Sequence, residues 1–167
     1  EGRSQFAKWD GFGLAVQAYQ KAAPHIIDHV ISLARMYERK LQVRLVKGAY
    51  WDTEIKHAQV EGLGDYPVYT RKSNTDVSYL RCAQKLLNNM DVLYPMFGTH
   101  NAHTVAAIIK MADKNLSGFE FQKLYGMGDA LYNQIIEDHK ICVCVYAPVG
   151  PYADLLPYLV RRMLENG

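Results

Sequence analysis

Residues 41–52 read LQVRLVKGAYWD, and the first half of this stretch indicates the fold class. Val43, Leu45 and Val46 suit a strand of a parallel sheet that is covered on both faces. Arg44 interrupts the apolar run, and burying a guanidinium is costly unless an anion or a hydrogen-bond acceptor meets it. We therefore predict a buried parallel strand whose arginine requires a specific partner.

The same order of a short apolar run, a loop and an amphipathic helix recurs along the chain. Strands are predicted at residues 11–19, 41–48, 92–100, 119–126 and 141–150. Helices are predicted at residues 24–40, 76–89, 103–115, 129–140 and 155–166. Residues 49–75 are predicted to be irregular. Pro24 suits the first turn of its helix, and Asn101 is a candidate N-cap.

Five consecutive βα units predict an α/β fold in which a parallel sheet is joined by helical crossovers. Such a sheet is either open and doubly wound or part of a (β/α)8 TIM-type barrel. No GxGxxG motif opens the first unit, which counts against a dinucleotide-binding open sheet. A whole barrel has eight units in about 250 residues. We therefore favour one partial barrel domain over residues 1–167, with no second domain.

The composition is that of an ordinary globular chain, with 167 residues, 49% hydrophobic and 22% charged. The formal net charge of +2 is too small to imply binding to nucleic acid or to a membrane surface by bulk electrostatics. No apolar run approaches the roughly 18 residues of a membrane span. Cys142 and Cys144 alternate along one apolar run, and we expect them to be reduced and buried on one strand face.

Polar side chains collect where the predicted strands end, which is where α/β folds place their active sites. Each of these residues alone is more often a simple hydrogen-bonding group at a strand end. Their occurrence at all five strand ends predicts a functional site. The residues concerned are Gln17, Arg44, Lys47, Thr99, His100, Asn101, the YGMGD segment 125–129 and Tyr146.

Two loops leave their chemistry open. His100 and His103 have the i, i+3 spacing of a metal-ligand pair, which would suit a metal-dependent barrel hydrolase. Asn101 and Thr104 could equally cap the helix, with the histidines holding the loop by hydrogen bonds. In residues 69–75, YTRKSNT, the two cations either bind phosphate oxygens or are simply solvated.

The last predicted helix carries two adjacent arginines. Asp154 is the predicted N-cap, which would place Pro157 in the first turn. Tyr158, Arg161, Arg162 and Glu165 then follow on one face. Such a face suits bidentate recognition of a carboxylate or phosphate, or it is a solvated face with a weak Arg161–Glu165 pair.

Several long motifs occur in a fixed order: RLVKGAYWDTEIKHAQVEGLGDYPVYTRK, DVSYLRCAQKLL, THNAHT, YGMGD, YAPVG and YLVRRMLENG. Together they resemble the proline dehydrogenase domain of bacterial proline utilization A flavoenzymes, from about Trp9 to Gly167. The resemblance implies strands four to eight of a distorted (β/α)8 barrel that binds FAD. It also implies a cytoplasmic enzyme, peripheral at the inner membrane face, that oxidises L-proline to Δ1-pyrroline-5-carboxylate.

The resemblance also implies partners and hydride transfer to flavin N5. Electrons would pass to a membrane quinone. The rest of the barrel and, in a bifunctional parent, a pyrroline-5-carboxylate dehydrogenase domain would complete the protein. No nucleic acid would bind this segment. Two alternatives remain beside this one: the metal-dependent hydrolase, and a non-catalytic fragment that pairs its open sheet edges with another chain.

Residue roles implied by the resemblance agree with the physical reasoning. Arg44 would act catalytically beside flavin N5. The proline-binding residues would be Tyr50, Leu124, Tyr146, Tyr158, Arg161 and Arg162. The FAD-binding residues would be Gln17, Arg44, Val46, Lys47, Gly48, Ala49, Trp51, Thr70, Lys72, Thr75, Thr99, His100, Asn101 and Glu165. No metal ligand and no catalytic base are assigned. Gly98 stands where the family usually has alanine.

Overall fold

The computed structural model describes residues 11–113 and 115–166, without the side chains of Glu165 and Asn166. The predicted start of the resemblance at Trp9, its end at Gly167 and the predicted contact of the Glu165 side chain therefore lie outside the described residues.

The described residues form five strands and six helices, and one helix follows each strand except β2, which is followed by two. The strands are β1 Gly13–Gln17, β2 Leu41–Val46, β3 Leu93–Gly98, β4 Glu120–Leu124 and β5 Cys142–Tyr146. The helices are α1 Ala23–Met36, α2 Trp51–Val60, α3 Lys72–Leu87, α4 Ala102–Ala112, α5 Asp129–His139 and α6 Tyr152–Asn166. Each predicted strand is confirmed, and Pro24 lies at the start of α1 as predicted.

Several helix bounds differ from the prediction, and α1 ends at Met36 rather than at residue 40. α2 occupies part of the segment predicted to be irregular, and it buries only Ala58, so it carries no strong apolar stripe. α3 begins at Lys72, four residues before the predicted start. α6 begins at Tyr152, because the Pro151 carbonyl accepts the Asp154 and Leu155 N–H groups at 3.0 and 3.1 Å. Asp154 is therefore inside the first turn rather than the N-cap, and Pro157 lies inside the helix.

The five strands are parallel and follow one another in the order β1-β2-β3-β4-β5. A doubly wound sheet would reverse its order at a switch point, and these strands do not. A sequential parallel order is that of a (β/α)8 barrel. All five carboxyl ends consequently lie along one edge of the described sheet.

The two faces of the sheet differ in character. On the helix-covered face, Val16, Val43, Phe97 and Phe121 are buried against α1, α3, α4 and α5, and this layer is the hydrophobic core. On the other face, named here the open face, successive strands align one row of residues. The row is Ala15, Arg44, Met96, Glu120 and Cys142.

The three cysteines are free thiols, and the predicted burial of Cys142 and Cys144 is wrong. Cys82 on α3 is buried, whereas Cys142 and Cys144 on β5 are exposed. The reason is that both lie on the open face of β5, which is an edge strand of the described sheet, and the described helices do not cover them there. No helix in the described part of the chain is long and apolar enough to cross a membrane.

Candidate active site

The strand ends bring most of the predicted site residues to one edge of the sheet. Gln17 ends β1, Lys47 follows β2, Thr99 follows β3, Leu124 ends β4 and Tyr146 ends β5. Lys47 and Thr99 are buried although they are polar, with 6% and 2% of their surface exposed. Buried polar side chains need partners, so this edge is built around specific contacts.

Arg44 has the partner that its place in a strand requires. Its Nε donates a hydrogen bond to Gln122 Oε1 at 2.6 Å, and its guanidinium carbon lies 5.0 Å from the centre of the Tyr146 ring. The half-buried cation is therefore held by a side-chain carbonyl and an aromatic face. Gly98 makes room for it, since a Cβ there would lie 3.2 Å from Arg44 Nη2.

Gln122 and its neighbour Glu120 were not predicted as site residues. Gln122 Nε2 donates to Glu120 Oε1 at 2.8 Å, and Tyr94 Oη donates to Glu120 Oε2 at 3.3 Å. Burial and the negative charge of Glu120 raise the pKa of Tyr94 to about 12. The signal in the sequence is the alternation in EFQKL, where two polar residues at i and i+2 must share one strand face.

Two cavities lie side by side beyond β2. One has a volume of about 260 Å³ and the other of about 440 Å³, and both are lined by Lys47 and Lys72. The smaller is lined by Tyr19, Lys47, Gly48, Trp51, Tyr69, Thr70, Lys72, Thr75 and Leu164. The larger is lined by Lys47, Lys72, Ser73, Asp76, Val77, Leu80, Asn101, His103 and Thr104. Two lysines and one carboxylate, Asp76, line these cavities, so a net positive charge remains that suits an anionic group.

Lys47 is held in place at the junction of these cavities. Its Nζ lies 2.6 Å from Asp76 Oδ1, and its side chain is 7% exposed whereas that of Asp76 is 43% exposed. The approach is not that of a hydrogen bond, so the contact is a charge–charge interaction. Asp76 therefore compensates a nearly buried ammonium without enclosing it.

The loop that follows β3 is fixed by hydrogen bonds. Asn101 is the N-cap of α4 as predicted, since its Oδ1 accepts the Thr104 N–H at 3.0 Å. Thr99 Oγ1 accepts the Asn101 N–H at 3.2 Å, and the buried Tyr132 hydroxyl donates to the Thr99 carbonyl. This loop presents Asn101 to the larger cavity.

The histidine pair does not favour the metal-dependent alternative. His100 Nε2 accepts the Leu124 N–H at 2.9 Å, so this nitrogen is already engaged. Within residues 11–113 and 115–166, no group of three or more His, Cys, Asp and Glu side chains could hold a metal ion. His103 lines the larger cavity instead.

The two arginines of α6 contact tyrosines, and one of them lies at a third cavity. The Arg161 guanidinium lies 5.0 Å from the Tyr50 ring, and that of Arg162 lies 5.1 Å from the Tyr158 ring. The cavity has a volume of about 430 Å³ and is lined by Gly48, Ala49, Tyr50, Trp51, Asp52, Thr53, Arg161 and Leu164. The buried Arg161 Nε has no hydrogen-bond partner among the described residues.

The segment that follows β2 shapes this third cavity. Gly48 has φ = +119°, a conformation that favours glycine, and a Cβ there would lie 2.6 Å from the Tyr19 ring. Trp51 Nε1 donates to the Tyr69 carbonyl at 2.8 Å, which fixes the indole beside the smaller cavity. Of the other predicted residues, Val46 is 7% exposed and Leu124 is completely buried.

Comparison with known proteins identifies the family of the chain. The family model described as proline dehydrogenase matches residues 2–167. The bifunctional protein PutA of Klebsiella aerogenes is 56% identical over 98% of this chain and 13% of its own length. Mitochondrial proline dehydrogenase 1 of Dictyostelium discoideum is 30% identical over 81% of this chain and 25% of its own length.

Solved structures give the same result. A crystal structure of a mutant proline utilization A from Bradyrhizobium japonicum has a TM-score of 0.88 at 61% identity, over 97% of this chain and 17% of that chain. Proline utilization A from Bdellovibrio bacteriovorus has a TM-score of 0.88 at 38% identity, over 96% of this chain and 17% of that chain.

The chain spans 13% of the length of the first curated relatives that it matches. Its five βα units are those of the TIM-type barrel of these relatives. The fold, the order of the motifs and the family match agree: the chain belongs to the proline dehydrogenase family, and it is similar to part of the proline dehydrogenase domain of proline utilization A proteins.

Proposed function

We propose that this chain takes part in the FAD-dependent oxidation of L-proline to Δ1-pyrroline-5-carboxylate, with a quinone as the final electron acceptor. One observation carries the proposal. β2 holds Arg44 on the open face, and the residues directly after β2 share a cavity with Arg161 of α6. A cation for an electron acceptor thus lies on β2, and a cation for a carboxylate lies beside the segment that follows β2.

The residues of the site fit a flavin dinucleotide. The cavities that share Lys47 and Lys72 offer cations for a diphosphate, with the Thr70 and Thr75 hydroxyls beside them. Asn101 adds an amide at the start of α4. The unpartnered buried Nε of Arg161 is a donor that a ligand would satisfy. The remaining proposed FAD contacts are Gln17, Val46, Gly48, Ala49, Trp51, Thr99, His100 and the side chain of Glu165.

FAD, when bound, supplies the acceptor for the two electrons that leave proline with the C5 hydrogen. Arg44 would stabilise the negative charge that this transfer develops, since a fixed cation in a half-buried site acts without reorganisation. Arg44 is therefore the proposed catalytic residue.

The α6 arginines would bind the proline carboxylate and so fix the ring. Arg161 and Arg162 offer planar donor pairs, which match a carboxylate better than a lysine would. Tyr50, Leu124, Tyr146 and Tyr158 would enclose the ring and exclude water. Proline would enter with its amine already neutral, the proton having been lost to bulk water, so that hydride loss from C5 gives the protonated imine and no side chain is assigned as a base. The contribution of the site is positioning, which is worth most when the reacting atoms are held near contact distance.

The proposal extends to the whole barrel. We propose that residues 1–167 form part of one proline dehydrogenase domain and that further strands of the same protein complete the barrel. The similar PutA proteins are named bifunctional, which supports a pyrroline-5-carboxylate dehydrogenase domain as a further partner.

The test is turnover by the intact, flavin-loaded protein. L-Proline should reduce an artificial electron acceptor, and the product should be lighter than proline by two hydrogens. D-Proline is the control. Because its carboxylate projects to the opposite side of the ring, D-proline cannot place its carboxylate on the arginines and its C5 at the flavin at the same time. A flavin-loaded protein that reduces no acceptor with L-proline would refute the proposal.

A further inference from the structure

Gln122 stands between a cation and an anion on the open face of the sheet. Arg44 Nε donates to its Oε1 at 2.6 Å, and its Nε2 donates to Glu120 Oε1 at 2.8 Å. We propose that Gln122, backed by Glu120, is a positioning residue that directs the Arg44 guanidinium toward the flavin site. This inference rests on the proposed function and adds to it a residue that acts through Arg44.

The amide of Gln122 has one orientation only. An arginine can only donate hydrogen bonds, and an ionised carboxylate can only accept them. The oxygen of Gln122 must therefore face Arg44, and its nitrogen must face Glu120. A second contact of the same nitrogen, 3.2 Å from Met96 Sδ, agrees with this orientation because a thioether is a weak acceptor.

Glu120 is itself held by a second donor. Tyr94 Oη donates to Glu120 Oε2 at 3.3 Å, so both carboxylate oxygens receive a hydrogen bond. The pKa of Tyr94, raised to about 12, extends the pH range over which its hydroxyl can donate well above neutral pH. Three hydrogen bonds thus connect β2, β3 and β4. Tyr94 and Gln122 donate to the Glu120 carboxylate, and Arg44 donates to the Gln122 amide oxygen.

Two neighbours on other strands shape the space that the guanidinium occupies. The Tyr146 ring lies 5.0 Å from the guanidinium carbon, and Gly98 leaves space where a Cβ would stand 3.2 Å from Nη2. Nε is used by Gln122, and Arg44 Nη1 and Nη2 form no hydrogen bond to the described residues. Gln122 therefore fixes the Nε side of the guanidinium, and the Nη groups remain to meet a ligand.

The substitution Gln122→Met tests this role, because it keeps the length of the side chain and removes both polar contacts. In the intact flavin-loaded protein we expect kcat to fall at least about tenfold while KM for proline changes less than about twofold. We also expect the flavin to become harder to reduce by about tenfold in the equilibrium constant, which is about 30 mV for a two-electron couple. A purely structural role would not move the potential. Gln134→Met, the same change on the exposed surface of α5, is the matched control.

A second variant covers the case in which Gln122→Met does not bind flavin. Glu120→Gln keeps the size of the side chain but removes the anion that orients the amide, so we expect a smaller shift of the potential in the same direction. If the variants that bind flavin keep the wild-type flavin potential, the inference is overturned even if kcat falls, while the proposed function stands. If the wild-type protein is not reduced by L-proline, the proposed function fails, and this inference falls with it.

Discussion

The replacement Arg162→Met examines the proposed carboxylate-binding pair on α6. Arg162 is 8% exposed and stacks on Tyr158 at 5.1 Å, whereas Arg161 is half-buried. Truncating one partner of a buried charge pair costs about 2–5 kcal/mol. Because Arg162 is the more buried of the two, we expect about 3–5 kcal/mol for its replacement and about 2 kcal/mol for Arg161→Met.

These energies translate into large effects on proline and small effects on FAD. With about 1.4 kcal/mol per tenfold, kcat/KM for proline should fall about 10²- to 4 × 10³-fold for Arg162→Met and about 30-fold for Arg161→Met. The dissociation constant of FAD should change less than about twofold. Arg162→Lys should not restore activity, since an ammonium lacks the planar donor pair of a guanidinium.

The assay is steady-state proline-dependent reduction of an artificial acceptor, with FAD affinity measured separately by fluorescence. Arg81→Met is the matched control, because Arg81 is exposed on α3 and away from the three cavities. Equal losses of proline and FAD affinity would refute the carboxylate assignment. So would a loss for Arg162→Met no larger than that of the control.

Three further predictions concern stability. Asp76→Asn leaves the nearly buried Lys47 ammonium without its carboxylate. Breaking a fully buried pair lowers the free energy of unfolding by about 3–5 kcal/mol, and because Asp76 is partly exposed we expect about 2 kcal/mol in urea unfolding. An unchanged urea midpoint would contradict the ion pair. The pKa of Tyr94 is raised from 10.0 to about 12, so between these pH values the native state keeps a proton that the unfolded chain loses. Stability should therefore fall as pH rises from 10 to 12, and Tyr94→Phe should make this fall shallower in thermal unfolding. Gly48→Ala should destabilise by about 1–3 kcal/mol, because φ is +119° and the Cβ would meet the Tyr19 ring at 2.6 Å; a variant with wild-type melting temperature would exclude this strain.

The order of the strands could be predicted because each one is a short apolar run bounded by turn residues. The sequence alone did not reveal α2, which buries only Ala58 and therefore has little helical periodicity. The start of α6 was misplaced for a local reason. Asp154 is a good N-cap residue, but the carbonyl of Pro151 already accepts the first hydrogen bonds of the helix.

The site was predicted as far as it depends on strand ends, since parallel strands end along one edge. Gln122 was missed because its partner Arg44 is 78 residues away, and only the register of three strands brings the two together. The exposure of Cys142 was missed for a related reason. Alternation identifies the face of a strand on which a residue lies, but not what covers that face.

The most direct test of the central claim is the visible spectrum of the intact protein. Purified with FAD and kept without oxygen, it should show flavin absorption that L-proline bleaches and D-proline leaves unchanged. Bleaching should be complete with one equivalent of product formed for each flavin reduced. A flavin spectrum that L-proline does not change, or a protein that retains no FAD, would contradict the account.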